Sequence, residues 1–248
     1  MNEPLRWVLS AGREALAAVV IEPSELAAAL DRLGLGGSRP ALVLVGGAGG
    51  LDSDLHAPLL ALFRGLMPAL RELGAVVVDG GTRSGVMALM GQAAAGTDLH
   101  LLGVVAVGTV RLPGQAEPGP HEHRPELDPN HDRFLLVPGT AWGDESPWIA
   151  AVATALVPTG ASLTLVIGGG KVTALDLREG LRHGRPALVL AGSGGTADAV
   201  ATYLQGSAGP VGAPPFDLPQ DTAARCEVMH LDRAATELPA LLRRRLGG

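Results

Sequence analysis

The feature that most constrains this chain is a repeated unit in which a short apolar run ends in glycine and a helical pattern follows. The first clear copy has apolar residues 41–45, a glycine cluster at residues 46–50, and then apolar residues at intervals of three and four. Runs of this length followed by helical spacing indicate β-strand and α-helix units. Strands this uniformly apolar are covered on both faces, as in a parallel sheet between two helical layers. The sequence therefore predicts an α/β fold with a Rossmann-like, doubly wound, mostly parallel sheet and three layers.

The same pattern recurs along the chain and predicts further strands. Helices are expected to begin near Asp52, Ser146, Lys171 and Thr196, where capping residues or a glycine turn precede an apolar pattern. A final strand at residues 227–231 and a terminal helix follow a proline-rich stretch. The other strands are predicted at residues 75–78, 101–106, 134–137, 162–167 and 187–190.

A chain of 248 residues with this pattern is expected to form a single domain over residues 1–248. Residues 1–39 are interpreted as an N-terminal cover with one helix, residues 40–205 as the core, and residues 206–248 as a C-terminal strand and helix. Within the core, five prolines mark a long loop over residues 108–133. Loops of this length in a compact domain are usually functional or disordered.

Composition and charge exclude several classes of function. Acidic residues outnumber Lys and Arg by 25 to 19, and the longest basic cluster is Arg243, Arg244 and Arg245, so no nucleic-acid partner is expected. No apolar run approaches the roughly 20 residues that cross a bilayer, so no membrane span is expected in this chain. A single cysteine, Cys226, cannot close an intramolecular disulfide, which favours a reducing, cytoplasmic location.

Four glycine-rich turns follow predicted strands, at residues 46–50, 80–85, 168–170 and 192–195. In an open α/β sheet, turns at the carboxyl ends of strands present backbone N–H groups at helix N-termini, which suits anionic ligands. One such turn is explained by the need for a positive φ angle. Four of them at strand ends predict a dinucleotide, nucleotide or phosphosugar ligand.

The familiar nucleotide fingerprints fit imperfectly. Gly170 and Lys171 do not form a P-loop, because Leu165 stands where a glycine is needed and Val172 replaces the Ser or Thr that holds magnesium. Residues 192–197 satisfy G-x-G-x-x-A, but no acidic residue lies about 20 positions further on to hold a ribose. A different Rossmann-like geometry is therefore favoured over a nicotinamide dehydrogenase.

A family resemblance is carried by residues 80–87, Gly-Gly-Thr-Arg-Ser-Gly-Val-Met. This stretch resembles the GGTxxGVM signature of the N-terminal cytosolic region of melastatin-type transient receptor potential channels. Residues 108–110, residues 127–140 and the turns at 168 and 192 agree with it in order. The chain is thereby identified as similar to the prokaryotic LSDAT branch of the SLOG superfamily. The resemblance implies a Rossmann-like sensor of nucleotide-derived ligands, typically ADP-ribose or NAD relatives.

The same superfamily includes the LONELY GUY phosphoribohydrolases, whose PGGxGTxxE motif supplies a catalytic glutamate. Residues 169–176 resemble this motif in two glycines and Thr173, whereas Val172 replaces the third glycine and Asp176 stands at the acid position. Aspartate is one methylene shorter than glutamate, and a general acid must reach its atom within about 3 Å. An N-glycosidase that uses Asp176 or Glu145 is therefore the alternative to a sensor, and a scaffold is a third hypothesis.

The candidate site combines the turns with neighbouring side chains. Thr82 and Arg83 are expected to contact a diphosphate, Lys171 a phosphate, and Trp142 a base. His121, His123 and His131 match no zinc spacing, so no metal is expected. No cofactor is expected apart from the nucleotide-derived ligand, and a homo-oligomer or an effector partner stays open. The predicted ligand-binding residues are Gly46, Gly47, Gly80, Gly81, Thr82, Arg83, Gly85, Asn130, Gly169, Gly170, Lys171, Thr173, Gly192, Ser193 and Gly194.

Overall fold

The computed structural model describes residues 3–49, 51–115, 124–157, 161–206 and 215–247. The strands in chain order are β1 (Leu5–Val8), β2 (Glu14–Val19), β3 (Ala41–Gly46), β4 (Val76–Asp79), β5 (His100–Ala106), β6 (Arg133–Val137), β7 (Ser162–Ile167), β8 (Ala187–Ala191) and β9 (Cys226–His230). The α-helices are α1 (Leu26–Arg32), α2 (Ser53–Glu72), α3 (Gly85–Ala94), α4 (Ser146–Leu156), α5 (Lys171–Arg182), α6 (Gly195–Leu204), α7 (Thr222–Arg225) and α8 (Leu231–Leu246). Short 3₁₀ turns lie at Ser10–Gly12, Pro23–Glu25 and Pro215–Asp217.

The nine strands of the described residues form one sheet in the order β1-β2-β6-β5-β4-β3-β7-β8-β9. Only β1 runs antiparallel to its neighbour in this sheet, and the other pairs are parallel. Each predicted core strand is present within about two residues of its predicted bounds. The predicted mostly parallel α/β fold is therefore confirmed.

Alternate residues of the central strands face opposite helical layers, which explains why these strands are apolar throughout. Leu42 and Leu44 of β3 lie in one buried cluster with residues of α2, α3 and α8. Val43 and Val45 lie in a second cluster with residues of α1, α4, α5 and α6. Side chains of a strand alternate between its two faces, so a strand between two helical layers has no polar face. The structure thus has the three predicted layers.

The N-terminal region differs from the prediction, because it adds two strands to the sheet and not only a covering helix. In β2, Leu16 is in register with Arg133 of β6, and β1 pairs with β2 at the edge. β2 is the segment Glu-Ala-Leu-Ala-Ala-Val, which is rich in alanine and has weak intrinsic strand preference. Pairing with β6, rather than local preference, therefore makes this segment a strand.

The strand order places a topological switch point beside β3. From β3 the chain winds outward through β4, β5 and β6, and it then returns to β7 on the other side of β3. Loops that leave the two neighbouring strands in opposite directions open a crevice at their carboxyl ends, where ligands bind in folds of this kind. None of the helices in the described part of the chain combines the length and apolar character needed to cross a bilayer.

Candidate functional site

A cleft of about 870 Å³ opens at the switch point, at the carboxyl ends of β3, β4, β5 and β7. Small-molecule sites in proteins typically have volumes of about 300–1,000 Å³. Residues 46–49, residues 169–173 and the turn after β4 line one side of this cleft. Its walls are apolar and include Val45, Val104, Ala106, Val110 and Ile149. The cleft is therefore large enough for a nucleotide-sized ligand.

Three of the four predicted glycine turns meet at this cleft. The backbone N–H of Val86, in the first turn of α3, donates to the Gly47 carbonyl oxygen at 3.2 Å. A Cβ atom at position 85 would overlap that same carbonyl, and Gly85 also has a φ of +49°. Glycine at this position therefore lets the turns after β3 and β4 pack backbone to backbone. Gly46, Gly47, Gly80, Gly169 and Gly170 line the cleft.

The fourth turn lies elsewhere, in a separate pocket of about 300 Å³ that also contains Asp52, Asp54 and Asp198. Ser193 Oγ accepts a hydrogen bond from the Gly168 N–H at 2.8 Å and donates to the Leu190 carbonyl at 2.5 Å. These bonds connect the turn after β8 to the turn after β7. The structure thus places the predicted binding residues Gly192, Ser193 and Gly194 outside the main cleft.

The neighbouring Gly195 shows why the fourth turn is glycine-rich. This residue has a φ of +51°, and a Cβ atom here would overlap the Gly169 carbonyl oxygen. The Thr196 N–H donates to that same carbonyl at 2.9 Å. Glycines in the fourth turn therefore let it pack closely against residues 168–170 of the turn after β7.

Four further predicted residues do not line the cleft: Gly81, Arg83, Gly85 and Asn130. Arg83 is 3.3 Å from the carboxylate of Glu126 and is largely exposed. Asn130 donates its backbone N–H to Asp128 Oδ2 at 3.2 Å, and Gly81 packs against β5. By contrast, Thr82 and Thr173 are buried and line the cleft.

A buried ionic network holds the turn after β4. His131 lies between two carboxylates, with Nε2 at 2.9 Å from Asp79 Oδ1 and Nδ1 at 2.9 Å from Asp128 Oδ2. Burial disfavours the charged imidazole, but the charge of Asp79 and the bonds to both acids outweigh it and raise the pKa of His131 to about 10. The Gly81 N–H donates to Asp79 Oδ1 at 2.7 Å, and Thr82 forms an isolated antiparallel β-bridge with Leu127. This network therefore fixes the loop residues 127–131 against the cleft-lining Thr82.

Two carboxyl groups line the cleft beside one another. Asp176, on α5, accepts a hydrogen bond from Ser146 Oγ at 2.5 Å, and Glu145 precedes that serine at the start of α4. Burial raises the pKa of Asp176 to about 7; the Ser146 bond opposes the rise and the nearby Glu145 adds to it. Burial likewise raises the pKa of Glu145, although the Gly143 N–H donates to this carboxylate at 3.0 Å. Both residues proposed for the enzymatic alternative are thus brought together.

Comparison with known proteins identifies the family. The family model described as "SLOG in TRPM, prokaryote" matches residues 39–238. The chain belongs to this family. The predicted resemblance to the prokaryotic LSDAT branch of the SLOG superfamily is thereby confirmed.

One curated relative of this SLOG family member agrees with that assignment. A transient receptor potential cation channel subfamily M member-like 2 of Nematostella vectensis is 28% identical over 199 residues. That match covers 65% of this chain but only 13% of the channel, so the chain corresponds to a small part of that relative.

A solved structure shows the same fold. The structural-genomics target TM1055 superimposes with a TM-score of 0.50 and 20% identity, covering 81% of this chain and 99% of its own. A molybdenum cofactor binding protein from the phototrophic bacterium Rippkaea orientalis has a TM-score of 0.45 and 14% identity, with coverage of 72% and 92%.

Two cationic side chains line the cleft of this SLOG domain. Lys171 is the first residue of α5, and Arg124 comes from the long loop. Neither forms an ion pair with a residue that the structure describes. A lysine at a helix N-terminus opposes the helix dipole unless an anion is present. The charge of Lys171 is therefore unfavourable for the helix, which makes this residue a candidate for contact with an anion.

Sequence reasoning missed the contribution of the loop predicted over residues 108–133. Thr109, Val110, Arg124 and Pro125 from this loop line the cleft, and only the loop's length and its prolines indicated a role. His121 and His123, considered for a metal, lie outside the described residues. Within the described residues, no group of three or more His, Cys, Asp or Glu side chains is placed to hold a metal ion.

Proposed function

We propose that this cleft binds a nucleotide-derived ligand such as ADP-ribose or an NAD relative, and that the domain acts as a sensor. The observation that carries the proposal is the convergence of three glycine turns and Lys171 on one apolar cleft. Backbone N–H groups at the start of a helix, together with a cation, favour phosphate groups. The phosphates are thus expected at Gly169, Gly170 and Lys171.

Other residues that line the cleft offer a surface on which a planar base could stack. Trp142 lines the cleft and leaves 51% of its surface exposed, so one side of its ring is accessible for stacking. Val104, Val110 and Met87 also line the cleft and supply apolar surface. A ligand that combines phosphates with a flat, weakly polar group matches this lining.

Calorimetric titration with ADP-ribose, NAD, AMP and a cyclic nucleotide tests the proposal. We expect at least one of them to bind, and the Lys171→Gln variant to bind it more weakly. Arg64→Gln is the matched control, because Arg64 is an exposed residue of α2 outside the cleft. Failure of all four to bind at millimolar concentration would overturn the proposal. Mass spectrometry of any small molecule that copurifies with the protein provides an independent identification.

A second candidate function is an N-glycosidase, because Asp176 lines the cleft and its pKa is raised to about 7. A general acid works best when its pKa lies near the working pH. In that reaction water would add to C1′ of the ribose and pass its proton to the Glu145 carboxylate while the bond to the base nitrogen breaks. A purine would take up a proton from Asp176 as it leaves, whereas nicotinamide would leave NAD as a neutral base without one. Release of free base from AMP, abolished by Asp176→Asn while ligand binding persists, would support it. Binding without any base release favours the sensor.

A further inference from the structure

The charges around the two cleft carboxyls are unbalanced. Among the described residues that line the cleft, the ionisable side chains are Arg124, Glu145, Lys171 and Asp176. Asp176 accepts a hydrogen bond from Ser146, and the charged group that acts on it is the neighbouring Glu145. Among the residues that the structure describes, no cation forms an ion pair with either acid. Two neighbouring carboxyls without a cation do not both ionise easily, because like charges in a poorly hydrated site repel.

The elements packed against α5 do not supply the missing cation. α4 contributes Glu145 at its start, and strands β3, β7 and β8 carry no charged residue. α6 contributes Asp198, which accepts the Gly192 N–H at 2.7 Å, and the 3₁₀ turn Pro215–Asp217 adds a further acid.

The cations on α5 itself, and Arg185 in the connection before β8, are likewise not paired with Glu145 or Asp176. Arg178 and Arg182 both pair with Glu179 on the same helix. Arg185 bonds to α4 through the Ala150 carbonyl at 2.9 Å, and Lys171 stands at the other end of the cleft-facing stretch of α5. The carboxyl pair therefore keeps its excess negative charge.

We propose that binding of an anionic nucleotide in this cleft is coupled to the uptake of about one proton by the carboxyl pair Glu145–Asp176. The inference rests on the proposed function, since it needs a ligand that occupies the cleft. A bound ligand displaces water from the pair and adds negative phosphate charge to the same cleft. Both effects favour the protonated carboxyl, and the proton and the ligand then strengthen each other's binding reciprocally.

The direction of the pH dependence follows from the free protein. Burial raises the pKa of Asp176 to about 7, so Asp176 is largely protonated below neutral pH and ionised above it. Below that range the proton is already present and binding takes up none. Above it, the proton must be taken up, and affinity falls by up to about tenfold for each pH unit until the pKa of the bound state is reached.

Calorimetry with ADP-ribose at several pH values, each in buffers of different ionisation enthalpy, measures the proton uptake directly. We expect uptake to rise from near zero at about pH 6 to about one proton at about pH 8. ADP-ribose is the suitable probe, because its diphosphate bridge has no terminal phosphate monoester, the group that titrates at a pKa of about 6. The measured proton therefore comes to the protein.

Two variants assign the proton to the pair. Asp176→Asn should bind ADP-ribose without proton uptake and with nearly constant affinity from about pH 6 to 8. Glu145→Gln removes the neighbouring negative charge, so the pKa of Asp176 should fall and uptake should begin at lower pH. The control Asp232→Asn, an exposed acid at the start of α8, should behave as the unmodified protein. Thermal melting of each variant confirms that it folds.

The outcomes separate this inference from the proposed function. If ADP-ribose binds but no proton is taken up at any pH, the coupling is wrong and the proposed function stands. If proton uptake persists unchanged in both variants, the assignment to Glu145 and Asp176 is wrong. If neither ADP-ribose nor the other three nucleotides bind, the proposed function and this inference both fall.

Discussion

Two groups of ionisable residues flank the cleft, and they differ in how their charges are balanced. Asp79, His131 and Asp128 are buried, and each imidazole nitrogen contacts a carboxylate. Glu145 and Asp176 are also poorly hydrated, but they have no cationic partner among the described residues and line an open cleft. The first group serves to hold a loop in place. The second keeps uncompensated negative charge in an open cleft, and ionisable groups with shifted pKa values in clefts are candidates for function.

The largest expected change in stability comes from removing His131 from the buried group that it forms with Asp79 and Asp128. His131→Ala leaves Asp79 and Asp128 buried without a cation, which should lower the free energy of unfolding by about 3–5 kcal/mol. Urea denaturation measures this change. The control His100→Ala removes a half-buried histidine bonded to Asp132, and it should cost about 1 kcal/mol or less. Equal losses in the two variants would contradict the distinction between a buried network and a surface pair.

Substitution of Asp176 in the unbalanced group should change the free energy of unfolding in the opposite direction. Because burial raises the pKa of Asp176 from 3.8 to about 7, ionising it destabilises the fold increasingly as pH rises through that range. Asp176→Asn should therefore raise the free energy of unfolding by at least about 1 kcal/mol at about pH 8 and by little at about pH 4. Denaturation at the two pH values measures the difference, with Asp232→Asn as control. A loss of stability at the higher pH would contradict this interpretation.

A smaller effect is expected from substitution of Lys171, one of the two cations that line the cleft in the described residues. Lys171→Gln should weaken ADP-ribose binding by about tenfold, or about 1.4 kcal/mol, because it removes one phosphate contact. The stability of the free protein should be unchanged or slightly higher, since a lysine opposes the helix dipole at this position. Titration and thermal melting test the two halves of the prediction. An unchanged affinity would show that Lys171 does not contact the phosphates.

The smallest change concerns the fourth glycine turn. Ser193→Ala removes two hydrogen bonds that tie this turn to Gly168 and Leu190, and it should cost about 1 kcal/mol of stability. Affinity for ADP-ribose should change less than in Lys171→Gln, because Ser193 does not line the main cleft. A larger loss of affinity than that of Lys171→Gln would place the ligand in the smaller pocket instead.

Much of the fold was predictable because it depends on hydrophobic pattern. The core strands are apolar on both faces, so their existence and parallel arrangement follow from residues close in sequence. β2 was missed because its pairing partner, β6, lies more than a hundred positions away, and β1 was missed with it because β1 pairs only with β2 in the described residues. A segment rich in alanine, such as β2, becomes a strand only when such a partner is present.

The candidate site was predicted in part. Glycine turns after β3, β4 and β7 were expected to meet, and they do line one cleft. The turn after β8 has the same composition, yet it packs against the turn after β7 and faces a different pocket. Because glycine has no Cβ atom, it allows a ligand to approach the backbone and equally allows another turn to pack against it. Composition therefore does not tell these two roles of a glycine turn apart.

The sequence by itself determined the layered α/β architecture and the position of glycine turns at strand ends, because both follow from local periodicity and from the backbone freedom of glycine. Only the tertiary structure decided which turns share a cleft. It also brought His131 between two acids distant in sequence and left Glu145 and Asp176 together without a cation. Burial and the electrostatic balance of a group depend on every neighbour in space, and those neighbours come from separate strands, helices and loops.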